Sequence, residues 1–308
     1  MKWVLLLGIA GIAMLIGIGY VFPKPPEQGE RIRVVTSFYP LAEFAAEVGG
    51  NRVTVSNITE GGIEPHDFEP TPADVVKIHS ANLFIFNGSG FDPWAKKMQP
   101  ELEKKGIAVL PITERFELIA GTPEENDEGR KGEVRDPHIW LDPVLAGGEV
   151  EIIRDALGRI DPNHAAEYEA RAKEYLLRLT GLHETYQIGL TSCALQDIVV
   201  SHTAFEYLAK RYGIRMIPIA GISPEEEPSP RQLTDIAKLA REKRIGYIFF
   251  ETLASPKLAE TIANEVGAQT LVLNPIEGLT REEAAQGETY LSLMEENLNT
   301  LRIALECA

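Results

Sequence analysis

Hydrophobic and polar positions along the first half of the chain follow two recurring patterns. Short runs of β-branched and apolar residues, typical of buried strands, are each followed by a segment of helix-forming residues. The strands are predicted at 31–38, 52–58, 82–88 and 107–113, and the helices at 41–50, 71–81 and 93–105. This alternation predicts parallel strands with helices packed on both faces, within an N-terminal α/β lobe over 31–160.

The second half repeats the same pattern. Strands predicted at 197–205, 214–222, 245–251 and 270–276 alternate with helices, and a last helix is predicted at 288–306. Residues 161–190 are predicted as one helix of thirty residues with apolar positions at Leu176, Leu177, Leu179 and Leu182. The predicted fold is therefore α/β, with two lobes, each a mostly parallel sheet with flanking helices, joined by one long bridging helix; the C-terminal lobe covers 191–308.

The N-terminal region, residues 1–30, is predicted as a membrane anchor or signal followed by a stalk. Residues 3–22 form an uncharged apolar run of twenty residues, which at roughly 1.5 Å per residue would cross about 30 Å of hydrocarbon. No obvious cleavage site follows, so an anchor is favoured, with a cleaved signal as the alternative. Both interpretations place the remainder outside the cytoplasm.

Two cysteines, Cys193 and Cys307, occur in the chain. An even count in an exported protein favours a disulfide bond, and two separate buried thiols are the alternative. Within the N-terminal lobe, residues 121–136 are charged and lack apolar periodicity, which predicts a mobile surface loop that interrupts this lobe.

The charge balance excludes one class of partner. There are 30 Lys and Arg against 46 Asp and Glu, for a formal net charge of −16. A protein that binds the phosphate backbone of nucleic acids needs a basic surface. Nucleic acid is therefore not expected as a partner.

Three of the six histidines lie where loops leave predicted strands. His66 lies in a loop with glycines and prolines, His138 follows the charged segment, and His202 ends a strand. Imidazole is the commonest side-chain ligand for transition metals, and a carboxylate would complete a set of four. Glu277 is the only acid in the turn after the last strand, beside Asn274. The spacings of these residues do not by themselves establish a site.

Six segments in one order give the chain a strong resemblance to a known family. They are TSFYPLAEFAAEVGG, GIEPHDFEPTPADV, NGSGFDPWAKKM, DPHIWLDP, SHTAFEYLAKRYG and LNPIEGLTREE. From about residue 32 onward the chain resembles the zinc and manganese solute-binding proteins of ABC importers, the ZnuA/TroA-like proteins. The resemblance implies that His66, His138, His202 and Glu277 are the metal ligands, and that Zn²⁺ is bound as cargo.

The resemblance also implies an extracytoplasmic, monomeric receptor that delivers its metal to a membrane permease and is not an enzyme. Retention of His202, where manganese-selective relatives tend to have a carboxylate, favours zinc, since imidazole suits this ion. Mn²⁺ or Fe²⁺ is the alternative cargo, and an adhesin or other surface protein is an alternative function.

Three features depart from the family pattern. The segment 121–136 contains no histidine-rich stretch, the N-terminal region contains no cysteine for lipidation, and Asn274 stands where other members have an aspartate. The last departure leaves open whether Glu277 or Asn274 completes the ligand set.

A metallohydrolase is the alternative from another functional class, because three histidines and a carboxylate can also hold a catalytic zinc. The sequence HETYQ at 183–187 has Gln187 in place of the second histidine of the metalloprotease motif. Ser89 has Phe86 where a nucleophile elbow requires glycine, so no hydrolase motif supports this alternative.

Overall fold

A computed structural model describes residues 31–121 and 135–308. The predicted anchor, the stalk and most of the predicted charged loop lie outside these residues. Among the residues described, no helix combines the length and the apolar character needed to span a membrane.

The N-terminal lobe contains a four-stranded parallel sheet in the order β2-β1-β3-β4. Val34 at its centre pairs with Val55 on one side and Leu83 on the other. A capping box between Thr71 and Asp74 begins the second helix, within the helix predicted at 71–81. The elements are β1 (Ile32–Thr36), α1 (Tyr39–Gly49), β2 (Val53–Asn57), α2 (Pro72–His79), β3 (Leu83–Phe86), α3 (Pro93–Lys104) and β4 (Ala108–Pro111).

A helix that the sequence analysis did not predict, α4 (Pro143–Ile160), follows a 3-10 turn at Ile139–Leu141. The side chain of Asp142 accepts a hydrogen bond from the backbone N–H of Val144 and so caps this helix. Its glycine pair, Gly147 and Gly148, lowers the helix propensity of the segment. Tertiary packing of its buried face compensates for that low propensity.

The bridging helix, α5, covers Ala165–Gly189 and is shorter than the predicted thirty residues. Its predicted start was wrong because Asp161 is not helical and a 3-10 turn at Pro162–His164 comes first. Asp161 stabilises this turn by contacting His164 Nδ1 at 2.6 Å and accepting a hydrogen bond from the Tyr168 hydroxyl at 2.9 Å. Leu177, predicted among the apolar positions, is exposed.

The C-terminal lobe repeats the parallel arrangement, with strand order β6-β5-β7-β8. The predicted fold of two parallel-sheet lobes joined by a long helix is confirmed. The elements are β5 (Asp197–Val200), α6 (Glu206–Tyr212), β6 (Arg215–Pro218), α7 (Pro230–Glu242), β7 (Tyr247–Phe250), α8 (Lys257–Val266), β8 (Gln269–Val272), α9 (Arg281–Gln286) and α10 (Tyr290–Ala304).

One hydrophobic core is continuous across both lobes. It includes residues of α1, α4 and α5 from one side and of β5, α6 and α10 from the other. Smaller clusters cover the outer face of each sheet. Cys193 and Cys307 form a disulfide bond that joins the chain after α5 to the chain after α10. Because the lobes share their core, large movements between them would expose apolar surface.

Candidate metal centre

Four side chains that can bind a metal meet between the two lobes. They belong to His66, His138, His202 and Glu277, and one donor atom from each lies within 4.8 Å of the others. The structure therefore brings together all four residues that the sequence analysis singled out. Among the described residues, this is the one such group.

Each residue of the group follows the carboxyl end of a parallel strand, where ligands commonly bind in α/β folds. His66 lies in the loop after β2, and His138 lies beyond β4, just before the 3-10 turn. His202 comes two residues after β5, and Glu277 lies in the loop after β8. Each lobe thus contributes two residues.

Five of the six distances between the four donor atoms match the edges of a tetrahedron, and the sixth is within 4.8 Å. His138 Nε2 lies 3.3 Å from Nε2 of His66 and 3.3 Å from Nε2 of His202. Glu277 Oε1 lies 3.4 Å, 3.5 Å and 3.4 Å from the Nε2 atoms of His66, His138 and His202. Tetrahedral zinc with bonds of about 2.05 Å has donors separated by about 3.3 Å. The spacing therefore suits a four-coordinate zinc ion.

Two carboxylates orient two of the imidazoles. Asp136 Oδ1 lies 2.7 Å from His138 Nδ1, and Glu251 Oε1 lies 2.6 Å from His202 Nδ1. Each carboxylate accepts the Nδ1 proton, which leaves the Nε2 lone pair facing the centre of the group. Carboxylate partners of this kind also increase the basicity of a metal-binding imidazole.

The pKa values of these two imidazoles reflect the same contacts. Burial lowers the pKa of His138, but its hydrogen bond with Asp136 and the nearby carboxylate of Glu277 outweigh burial and raise the pKa overall. Burial likewise opposes protonation of His202, and the charge of Glu251 and its hydrogen bond raise the pKa well above the usual value. Both rings therefore bind a proton more tightly than a free imidazole does, and this proton must leave Nε2 before a metal can bind there.

Glu277 is almost completely buried, and neither of its carboxylate oxygens has a hydrogen-bond donor with acceptable geometry among the described residues. Burial raises its pKa, but attraction to His66 and the other two imidazoles holds the pKa well below its usual value. A buried carboxylate without hydrogen bonds is unfavourable unless a cation lies beside it. This observation fits the residues to a bound metal ion.

His66 is positioned differently from the other two histidines. Its backbone N–H donates a hydrogen bond of 3.0 Å to Glu64 Oε1, and its ring packs on Phe91 at a centroid distance of 4.6 Å. Burial is the largest influence on its pKa, which is lowered. Burial and the nearby charge of Glu277 raise the pKa of Glu64 to about 9.

Sequence reasoning missed Asp136 and Glu64. Asp136 lies two residues before His138, and this spacing could have indicated a carboxylate that turns back onto the imidazole. Glu64 likewise lies two residues before His66. Glu251, at the end of the strand predicted at 245–251, contacts His202 in the structure.

The remaining histidines lie away from this centre. His79 ends α2 and contacts Lys105 and Glu101 at the surface. His164 contacts Asp161, as described above, and His183 Nδ1 lies 3.0 Å from the hydroxyl of Tyr212.

Comparisons with known proteins connect this centre with zinc uptake. The profile of the family described as "Zinc-uptake complex component A periplasmic" matches residues 34–304. The high-affinity zinc uptake system protein ZnuA of Bacillus subtilis (strain 168) is 36% identical over 312 aligned positions, covering 99% of this chain and 98% of the relative. The zinc-binding lipoprotein AdcA of Streptococcus pneumoniae is 38% identical over 277 positions; these cover 88% of this chain and 55% of AdcA, about half its length.

Comparison with solved structures also identifies similar metal-binding and metal-transporting proteins. The Zn(II)-bound ZnuA-like domain of Streptococcus pneumoniae AdcA aligns with a TM-score of 0.78 and 36% identity, covering 90% of this chain and 100% of that domain. The laminin-binding protein Lmb of Streptococcus agalactiae, described as bifunctional with adhesin and metal-transporting activity, aligns with a TM-score of 0.79 and 36% identity. That alignment covers 89% of this chain and 99% of Lmb.

Proposed function

The chain belongs to the family of periplasmic zinc-uptake component A proteins, and we propose that it is an extracytoplasmic receptor that captures Zn²⁺ and delivers it to an ABC importer. The observation that carries this proposal is the convergence of four donor atoms, from both lobes, at the spacing of tetrahedral zinc. Its membrane partner would be the importer's permease.

The proposed ligands are Nε2 of His66, His138 and His202 and a carboxylate oxygen of Glu277. Three neutral imidazoles and one carboxylate leave a bound zinc ion with one net positive charge. All four positions of the tetrahedron are then filled by the protein, whereas a catalytic zinc keeps one position for water. A carrier rather than an enzyme is therefore the function we propose.

Glu277 is favoured over Asn274 as the fourth ligand because Asn274 is occupied elsewhere. Its Nδ2 donates to Glu283 Oε1 at 2.9 Å, and its Oδ1 accepts the backbone N–H of Ile276 at 2.8 Å. These bonds stabilise the loop after β8 and leave neither side-chain atom of Asn274 available for the metal. Glu277, without hydrogen-bond donors, has no competing partner.

Zinc is favoured over manganese and iron by the donor set. Imidazole nitrogens suit zinc, whereas carboxylate, carbonyl and water oxygens suit manganese, which prefers six ligands. Burial of His138, His202 and Glu277 leaves little room for additional water ligands. The same burial favours transport over adhesion as the use of this centre, because an adhesive contact requires exposed residues.

We propose further that residues 3–22 anchor the receptor at the outer side of the membrane, that Cys193 and Cys307 are bridged in that oxidising compartment, and that the receptor acts as a monomer. Release would follow when the permease strains the lobes slightly apart, since each lobe holds two of the four ligands. The shared core described above would keep this movement small.

Elemental analysis of the full-length chain, purified without added metal, tests the proposal. We expect about one zinc per chain, with binding weakened at least about 100-fold in Glu277→Ala and in His202→Ala, since loss of a ligand should exceed the roughly 10–100-fold cost of losing an orienting partner. Glu282→Ala, on the surface of α9, is the matched control and should keep wild-type binding.

Two other outcomes would change the conclusion. If the protein instead contains stoichiometric manganese or iron, the metal site would be supported but its cargo would not be zinc. Absence of bound metal, even after titration with zinc, would contradict the receptor function. Zinc uptake by cells that lack the protein, measured with and without its restoration, then separates a carrier from an adhesin.

A further inference from the structure

Trp140 connects the segment that carries His138 to the loop that carries Glu277. It lies two residues after His138, in the N-terminal lobe, and is fully buried. Its indole N–H donates a hydrogen bond of 2.8 Å to the carbonyl oxygen of Pro275, which lies in the C-terminal lobe two residues before Glu277. This bond therefore links the segments that carry two proposed zinc ligands, one from each lobe.

The indole ring is held tightly on the side of the N-terminal lobe. It packs against Phe38, Phe91 and His138 with centroid distances of 4.6 Å, 5.3 Å and 5.2 Å. The carbonyl oxygen of Trp140 accepts a hydrogen bond of 2.5 Å from the hydroxyl of Tyr290 on α10. The position of the N–H donor is consequently defined by both lobes.

The loop that receives this bond has an unfavourable backbone conformation. Ile276 has φ of 56°, a value in the left-handed region that is rare for β-branched residues. Such a conformation persists only where surrounding contacts enforce it. Here Asn274 accepts the N–H of Ile276, and the Asn297 amide contacts both the N–H and the carbonyl of Asn274 at 2.8 Å and 2.7 Å.

We propose that Trp140 is a positioning residue for zinc, whose indole N–H holds the strained loop of Glu277 in the geometry that closes the ligand set and thereby slows zinc dissociation. The inference rests on the proposed function. Without this bond, the buried carbonyl of Pro275 would lose the donor that the N-terminal lobe provides. The backbone at Ile276 could then leave its positive φ. Glu277 would then move relative to the three imidazoles.

The first experiment compares Trp140→Phe with Trp94→Phe in the full-length chain. Phenylalanine keeps an aromatic ring and removes the indole N–H together with one of the two fused rings, and Trp94→Phe causes the same loss of buried volume. Trp94 is the matched control because it packs in the outer core of the N-terminal lobe, against Phe68 and Phe84. Zinc-loaded protein is mixed with excess chelator, and the rate of zinc loss is followed.

We expect Trp140→Phe to release zinc at least 10-fold faster than the wild type and Trp94→Phe to remain within 2-fold of it. A Co²⁺-loaded sample adds a spectroscopic measurement, in which the visible bands of tetrahedral Co²⁺ should change in Trp140→Phe only. Wild-type release and an unchanged cobalt spectrum in Trp140→Phe would overturn the inference. Failure of the proposed function would instead be seen in the wild type, as absence of stoichiometric zinc.

A second measurement does not depend on how well Trp140→Phe folds. The chain has three tryptophans, so a variant with Trp3→Phe and Trp94→Phe keeps Trp140 as its sole indole. If the indole bond stabilises zinc binding, zinc must stabilise the bond to the same extent, because coupling free energies are reciprocal. We expect hydrogen exchange of this indole N–H to become at least 10-fold faster when zinc is removed, and equal rates would contradict the proposal.

Discussion

The two lobes have the same strand order but hold their contributions to the metal centre in different ways. The equivalent last strands, β4 and β8, each lead to one residue of the centre, His138 and Glu277. The other residues come from non-equivalent strands, His202 from a central strand and His66 from an edge strand. The centre is therefore only partly symmetric.

This difference separates the two histidines that a carboxylate orients from the histidine carried by a glycine-containing loop. His202 follows β5 by two residues and is oriented by Glu251, whereas His66 lies nine residues beyond β2. The loop before His66 contains Gly61 and Gly62, both with positive φ. We therefore expect the centre to adjust through His66, while His138, His202 and their carboxylates form the more rigid part.

The prediction with the largest expected effect on the free energy of unfolding concerns the disulfide bond. This bond lies in the C-terminal lobe only and closes a loop of 114 residues. Replacing both cysteines by serine should reduce the free energy of unfolding by about 4 kcal/mol, because the unfolded chain gains conformational freedom. Urea unfolding of the two forms measures this loss. Zinc affinity should stay within a few fold of the wild type, since the bridge lies away from the centre, and an unchanged urea midpoint would contradict the prediction.

The second prediction separates the loop histidine from a framework histidine. His66→Ala and His138→Ala should each weaken zinc binding at least about 100-fold, more than the loss of an orienting carboxylate would. Only His138→Ala should also lower the free energy of unfolding of the zinc-free chain, by about 2 kcal/mol, because the buried carboxylate of Asp136 loses its imidazole partner and keeps only the backbone N–H of residue 138.

Calorimetric titration with zinc and chemical denaturation measure the two effects separately. His79→Ala, on the surface of the same lobe, provides the control and should change zinc affinity little. Equal losses of stability in His66→Ala and His138→Ala would show that the two histidines are held alike, contrary to the difference described here.

The third prediction concerns the carboxylates that orient the imidazoles, one in each lobe. Asp136→Asn and Glu251→Gln should each weaken zinc binding about 10–100-fold, because the amides keep the shape of the side chain and remove its charge. The exposed residues Asp235 and Glu260 allow the matched controls Asp235→Asn and Glu260→Gln. Competition with a chelator of known affinity gives the values, and wild-type affinity in both site variants would exclude an orienting role.

The smallest expected effect on the free energy of unfolding concerns Asp197, in the first strand of the C-terminal lobe. Hydrogen bonds from Arg215 and Lys243 lower the pKa of Asp197 to about 2, against an ordinary value of 3.8. A lowered carboxyl pKa stabilises the folded state above pH 3.8, and this stabilisation is lost as the pH falls through about 2.

Asp197→Asn should therefore reduce the free energy of unfolding by about 1 kcal/mol at pH 7, a modest amount because Arg215 is largely exposed. Denaturation at a series of pH values should show the difference between wild type and variant narrowing below pH 4. A difference that is the same at pH 7 and pH 2 would mean that this ion pair does not contribute.

Local patterns in the sequence were sufficient for most of the secondary structure and for placing the residues of the candidate centre after predicted strands. The apolar runs of β1 and β5 and the capping box at Thr71 depend on neighbours within a few residues, so they can be recognised without a fold. The positions of His66, His138, His202 and Glu277 after strands were equally visible. Their family resemblance connected them with a metal.

The tertiary structure decided what depends on contacts between distant residues. It placed Glu277, rather than Asn274, beside the imidazoles, because Asn297 and Glu283 occupy the polar groups of Asn274. Packing against the rest of the lobe also stabilises α4 in spite of its glycine pair. The same folding brings Glu251 into contact with His202, and Trp140 into contact with Pro275. No periodicity encodes such pairs, because each is created when elements far apart in the chain bury their surfaces together.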